Sequence, residues 1–191
     1  MGGWALKADQ VQHWAYQTKV LTPEQCKWVI DYCKKKGTRA ASIDILKPKK
    51  DKKVRKSEVA WLTWNECPEI YAKLTDVIHQ LNDRYFKFDL FGFMEDIQFT
   101  KYKAPGGHYG KHVDRSAGSS ARKLSVTLQL SDPSTYEGGD LEMYLSDKAD
   151  KGKREQGCCT VFPSYVLHQV TPVTKGTRYS LVAWIGGPDF K

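Results

Sequence analysis

The sequence predicts a mainly β fold, a sandwich or barrel of short strands with two helices packed on one sheet. Three observations carry this. Two segments before residue 90 place apolar residues at helical spacing. From Asp89 onward the pattern changes to short runs that alternate with period two. Those runs are separated by Gly- and Pro-containing turns. At 191 residues the chain fits one domain with a sizeable core.

The elements follow in order. Residues 1–20 carry Trp4, Trp14 and Tyr16 without a clear period and read as a strand or an irregular entry whose aromatics pack on the core. Thr22-Pro23-Glu24-Gln25 marks a helix start, with Thr as N-cap, Pro in the first turn and Gln completing a capping box. Cys26, Val29, Ile30 and Cys33 form its apolar face, Lys34-Lys35-Lys36 suit the negative end of its dipole, and Gly37 ends it. Ala40–Leu46 reads as a strand, followed by a basic loop and a further strand at Val59–Leu62. Pro68 opens a second helix with Ile70, Leu74, Val77, Ile78 and Leu81 on one stripe and Phe86 near its end. His79, beside that stripe without a ligand partner at helical spacing, reads as a structural histidine.

Phe91–Phe93 and Ile97–Tyr102 are strands, Pro105-Gly106-Gly107 is a turn, and Tyr109–Asp114 is another strand. Ser116–Ala121 reads as a small-residue loop. Leu124–Leu130 alternates throughout, so its Leu and Val face should pack on the helices and its Ser/Thr/Gln face should line something polar. Glu137-Gly138-Gly139-Asp140 turns into Leu141–Leu145. Cys158–Phe162 is a strand, and Val166–Thr171 and Arg178–Ile185 flank a turn around Lys175-Gly176.

Composition is that of an ordinary globular protein, 40% hydrophobic and 27% charged. No apolar run approaches the roughly 18 residues needed to span a membrane, and Met1–Leu6 lacks the core of a signal peptide and the Ser or Thr of a myristoylation site. Five cysteines, an odd count without zinc-like spacing, point to free thiols in a reducing compartment, so a cytoplasmic protein is expected. The net charge of +8 is concentrated: Lys47–Lys56 holds seven Lys or Arg against one Asp. That run reads as a solvated loop, or alternatively as a flap steering an acidic partner or nucleic acid to a site.

The chemistry centres on His112-Val113-Asp114. Residues two apart on a strand share a face, so His112 and Asp114 offer adjacent ligand arms, with His168 as a third. Two histidines and one carboxylate form the facial arrangement of non-haem Fe(II) oxygenases, although a His-x-Asp pair equally suits a zinc hydrolase. Arg178 favours the former. An oxygenase that chelates iron through the keto-acid end of 2-oxoglutarate must hold the far carboxylate, and the planar guanidinium is a natural clamp. Ser180, on the same strand face, can add a hydrogen bond.

From Phe99 to Trp184 the chain resembles the prolyl 4-hydroxylase and PKHD-type branch of the 2-oxoglutarate/Fe(II) dioxygenases. The resemblance rests on Tyr102, His112-Val113-Asp114, Glu137-Gly138-Gly139-Asp140-Leu141, Phe162-Pro163-Ser164, Leu167–Val173, Gly176-Thr177-Arg178-Tyr179-Ser180 and Trp184, in that order. It implies a double-stranded β-helix (jelly-roll) core with N-terminal helices on one sheet, 1–90 being support and 91–191 the catalytic core. It also implies Fe(II) on His112, Asp114 and His168, and the 2-oxoglutarate carboxylate on Arg178, with Tyr102 joining that contact. Leu141 and Trp184 match pocket-wall positions, and Gln129 stands where some relatives carry a tyrosine near the cofactor.

Trp184 can alternatively be core, Tyr109 either a packing residue or a substrate contact, and Arg122 either a contact to a substrate carboxylate or a loop charge. The expected function is hydroxylation of a C–H bond, foremost on a prolyl residue of a protein or peptide. Dioxygen would be consumed, succinate and carbon dioxide would be co-products, and ascorbate would act as reductant. The alternatives are a hydroxylase or demethylase of nucleic acid, another residue or a small metabolite, and a non-catalytic binding module on the same fold.

Overall fold

The computed structural model describes residues 13–42, 51–116 and 119–189. Along the chain these form β1 (Ala15–Gln17), α1 (Pro23–Lys36), β2 (Arg39–Ala40), β3 (Arg55–Lys56), β4 (Glu58–Leu62) and α2 (Pro68–Leu81). Then follow β5 (Gly92–Phe93), β6 (Ile97–Lys103), β7 (Gly107–His112), β8 (Arg122–Gln129) and β9 (Tyr136–Gly138). Last come β10 (Leu141–Tyr144), β11 (Ala149–Lys151), β12 (Cys159–Pro163) and β13 (Leu167–Gly186).

The helices form where their signals place them. The Gln25 N–H donates to Thr22 Oγ1 and the Thr22 N–H to Gln25 Oε1, closing the capping box on two otherwise orphaned donors. Gly37, at φ +91°, ends α1. Helix α2 buries Ile70, Tyr71, Leu74, Val77, Ile78 and Leu81, and one π-helical turn at Asn82–Phe86 then seats Phe86 in the same core. Both apolar faces meet Leu124, Val126 and Leu128 of β8 and Leu181 and Ala183 of β13 in one cluster. The leucine and valine face of β8 therefore packs on the helices, and its Ser125, Thr127 and Gln129 face the other way.

Two antiparallel sheets share β13. The major sheet has the order β1-β12-β8-β13-β6-β4-β2, with β5 also on β13. The minor sheet runs β11-β10-β13-β7-β3, with β9 also on β13. His168 in the first part of β13 pairs with β7 and β10, whereas Arg178–Val182 pair with β6 and Ser180–Gly186 with β8. This is the jelly roll with helices against its major sheet. Among the described residues no helix is long and apolar enough to cross a membrane.

Several expectations are corrected. Lys175-Gly176 does not reverse the chain: β13 continues through it from one sheet to the other, with register shifts at Val170/Val173 and Val173/Lys175. Gly176, at φ +71°, sits so close to Thr135 O that a Cβ would lie 2.2 Å from it. The glycine serves close strand approach at a bulge rather than a hairpin. The basic run is not loop to its end, because Arg55 and Lys56 form β3 on the edge of β7. The strand proposed for Ala40–Leu46 is seen at Arg39–Ala40, residues 43–50 lying outside the described residues, as do Trp4 and Lys47–Lys50. Strand β7 ends at His112, so Asp114 lies just past it. Arg122 is the buried first residue of β8 and not a loop charge.

Candidate metal centre

Two neighbouring strands and the residue past one of them bring three ligand atoms together. His112 ends β7, and His168, near the start of β13, is its cross-strand partner. Beyond the strand, the Asp114 and Arg115 N–H groups both donate to Ser164 O, which turns the Asp114 carboxylate inward. The ligand atoms of His112, Asp114 and His168 all lie within 4.8 Å of one another. Asp114 Oδ1 is 3.6 Å from His112 Nε2, and its Oδ2 is 3.5 Å from His168 Nε2.

The surroundings prepare these groups to ligate. Nδ1 of His112 is 2.7 Å from Gly110 O and Nδ1 of His168 is 2.9 Å from Val166 O, so each carries its proton there and presents the Nε2 lone pair inward. The Ser125 hydroxyl donates to Asp114 Oδ2 at 2.6 Å and lies 3.0 Å from Ser164 Oγ. Burial opposes charge on Asp114, yet the two imidazoles, the Ser125 hydroxyl and the nearby Trp184 indole outweigh it and hold the carboxyl below its ordinary value. Burial, with His168 second, pushes His112 down to about 4, so its ring is neutral at pH 7. One carboxylate and two imidazole nitrogens with free lone pairs suit a divalent cation with open positions.

Beside this group runs a polar cleft lined by Thr127, Gln129, Tyr136, Leu141, Thr160 and Arg178, among others. It adjoins the metal residues along two strands: Thr127 is two residues from Ser125, and Leu141 two from Met143, the partner of His168. Arg178 is 3% exposed. Among the described residues its guanidinium has no hydrogen-bond or ion-pair partner, and its Cζ sits 5.5 Å from the centre of the Tyr102 ring. The Ser180 hydroxyl, buried on the same strand, also lacks a partner. A buried cation without a counter-ion beside an orphaned hydroxyl fits an anionic ligand in the cleft.

The remaining expected residues divide between the two sides. Gln129 donates at 2.6 Å to the hydroxyl of Tyr136, which reaches it from β9. Tyr136 in turn lies under Arg154, which bonds Gly138 O and Asp140. Sequence reasoning missed Tyr136, Arg154 and Ser125, and named Ser164 only within the Phe162-Pro163-Ser164 match, without a role. Only the alternation of β8 hinted at Ser125, through its polar face. On the other side Arg122 stacks 4.1 Å over Trp184, donating to Asp114 O and to Glu95. Among the described residues the buried Trp184 Nε1 has no partner in hydrogen-bonding geometry, although its indole lies near the Asp114 carboxylate. Tyr109 stacks on His112 with ring centres 3.5 Å apart.

Comparison with known proteins gives concordant findings. The model of the 2OG-Fe(II) oxygenase superfamily matches residues 97–186. A PKHD-type hydroxylase of Prochlorococcus marinus (strain SARG) is 43% identical over 90 residues, 47% of this chain and 40% of its own length. Another from Prochlorococcus marinus (strain NATL2A) is 38% identical over 121 residues, 61% of this chain and 54% of its own. The chain thus spans about half the length of the curated relatives it matches. Among solved structures, a Pseudomonas putida prolyl-4-hydroxylase superposes with TM-score 0.71 at 23% identity, covering 92% of this chain and 93% of the other. A Trichoplax adhaerens prolyl hydroxylase, in complex with a hypoxia inducible factor oxygen degradation domain peptide fragment, gives 0.75 at 17% identity, covering 92% and 84%.

Proposed function

We propose that the chain is a member of the 2OG-Fe(II) oxygenase superfamily, whose model matches residues 97–186, and that it hydroxylates a C–H bond, foremost on a prolyl residue of a protein or peptide. One observation supports this most: three ligand atoms converge beside a cleft lined by Arg178, which is buried and, among the described residues, without a hydrogen-bond or ion-pair partner. His112, Asp114 and His168 would hold Fe(II). When bound, Fe(II) with 2-oxoglutarate and dioxygen would supply the oxidising power for hydroxylation, succinate and carbon dioxide being the co-products.

The chain's own part is positioning. Arg178 binds the distal carboxylate of 2-oxoglutarate through a charge-assisted fork, and the orphaned Ser180 hydroxyl adds a donor. Leu141 and the Gln129–Tyr136 pair wall the cleft and exclude water from it, and the Tyr102 ring packs beside the Arg178 guanidinium. Asp114 stays ionised and His112 neutral, so neither needs to exchange a proton to ligate. Tyr109, Arg122 and Trp184 border the metal group on its other side, where a substrate side chain would approach. A prolyl peptide is preferred because the relatives and structural neighbours are named PKHD-type and prolyl hydroxylases.

The test is succinate production by the purified chain with Fe(II), ascorbate and 2-oxoglutarate, with and without proline-rich peptides. Peptide-stimulated succinate with a +16 Da product on proline supports the whole reading. Slow turnover that peptides do not raise retains the oxygenase and discards the substrate. No turnover, with iron shown to be bound, refutes the activity in favour of a binding module.

A further inference from the structure

Of the basic residues described between Lys52 and Lys56, Arg55 alone is buried. Strand β3 is fastened to β7 by more than its pairing. The Gly110 N–H donates to Val54 O at 2.8 Å, His108 Nε2 lies 3.0 Å from Lys53 O, and Lys56 Nζ donates to Pro105 O at 2.7 Å. This places Arg55 opposite Tyr109 in the register.

Every arm of the Arg55 fork is used. Nε donates to Ser57 Oγ at 2.9 Å, Nη1 to Ser42 O at 3.3 Å, and Nη2 to Gln98 Oε1 at 2.8 Å, where Thr100 Oγ1 also donates. The guanidinium, fixed in this plane, lies 4.4 Å from the centre of the Tyr109 ring. That phenol ring in turn stacks on His112, whose ring is 3.5 Å away and tilted by 18°. The two histidines differ here. His168 is wedged by the Phe162 edge and is nearly fully buried, whereas His112 is the more exposed ligand, its ring face covered by Tyr109. A single bond from Nδ1 to Gly110 O still leaves an imidazole free to swing about that contact. Stacking on its face removes this freedom.

We propose that Arg55 is a positioning residue for the metal centre, holding the His112 ring in its ligating orientation through Tyr109. The inference rests on the metal-centre reading above. It gives one cation of the basic run a task apart from steering: a rigid planar plug that three hydrogen bonds orient and that a flexible ammonium does not replace.

The experiment is Co(II) titration of the metal-free protein, read by the visible absorption of bound Co(II), for wild type, Arg55→Ala, Arg55→Lys and a His112→Ala control. Near-ultraviolet circular dichroism of each metal-free sample reports the fold, and Arg55→Lys keeps charge and stem should the alanine variant fail to fold. Folded Arg55→Lys and Arg55→Ala are expected to bind Co(II) about tenfold more weakly, the lower end for loss of an outer partner of a ligand. Their absorption bands should also be altered, which loss of general stability would not cause. The apparent requirement for 2-oxoglutarate at saturating metal should stay that of wild type, since Arg178 lines the cleft and Arg55 does not. Wild-type affinity and spectrum in either folded variant overturns the proposal while leaving the metal centre intact. Failure of wild type itself to bind Co(II) overturns both.

Discussion

Replacing Arg178 by Met separates two consequences that an ordinary structural arginine would not separate. The guanidinium is 3% exposed and, among the described residues, unpaired, while its stem is packed so closely that a Cβ on Gly139 would lie 3.1 Å from Cδ. Methionine preserves that stem and removes the charge. In the free protein a buried cation without a partner is unfavourable, so Arg178→Met should leave the metal-free protein as stable as wild type or stabilise it by about 1–2 kcal/mol. With the co-substrate the sign reverses. Charge-assisted hydrogen bonds contribute about 1.5–3 kcal/mol each, and a net loss of about 3 kcal/mol corresponds to roughly a hundredfold higher requirement for 2-oxoglutarate. Thermal unfolding without ligands gives the first quantity, and succinate formation against 2-oxoglutarate concentration gives the second. A drop in ligand-free stability of more than about 2 kcal/mol, or an unchanged 2-oxoglutarate requirement, would refute the reasoning, since Arg178 would then be serving the fold.

Three further outcomes are expected. Asp114→Ala should abolish Fe(II) binding and succinate production while retaining the fold; activity equal to wild type would remove Asp114 from the ligand set. Ser125→Ala, which strips the 2.6 Å donor from Asp114 Oδ2, should weaken metal binding about tenfold in an equilibrium titration, and an unchanged affinity would show that the hydroxyl orients nothing. Glu66 is held down to about 2 from its ordinary 4.5, by Lys36 first and then by the Thr63 N–H and Tyr32. A depressed carboxyl stabilises the fold above its unfolded pKa and loses that contribution as pH falls through the folded value. Glu66→Gln should therefore be less stable than wild type by about 1–2 kcal/mol at pH 7, allowing for solvent screening, with the gap closing between about pH 4.5 and 2. Chemical denaturation across that range checks it, and a gap independent of pH would exclude the ionic origin.

Local interactions made much of this protein legible in its sequence. A helix start depends on residues three apart, so Thr22 and Gln25 announced α1, and period-two alternation announced which face of β8 meets the helices. The same locality suggested His112 and Asp114 as adjacent arms through strand spacing, although β7 ends at His112 and the bonds to Ser164 O are what turn Asp114 inward. Their distance from His168, Arg178 and Ser180 along the chain is bridged by order and spacing in the resemblance, not by any local rule.

What the tertiary structure alone decided are relations between segments remote in sequence. Glycine at 176 is compatible with a hairpin or with a bulge, and only the nearness of Thr135 O selects the bulge. A run of lysines looks solvated because charge favours water, yet in the fold Arg55 meets three acceptors, on Ser42, Ser57 and Gln98, and the Tyr109 face of β7, which offset its desolvation. Gln129 could not reveal its partner, because Tyr136 reaches it from another strand. Sequence determines what each segment can bury and which way its side chains point; which distant group meets them, and so whether a buried charge is paired or left open for a ligand, is fixed only when the two sheets close around β13.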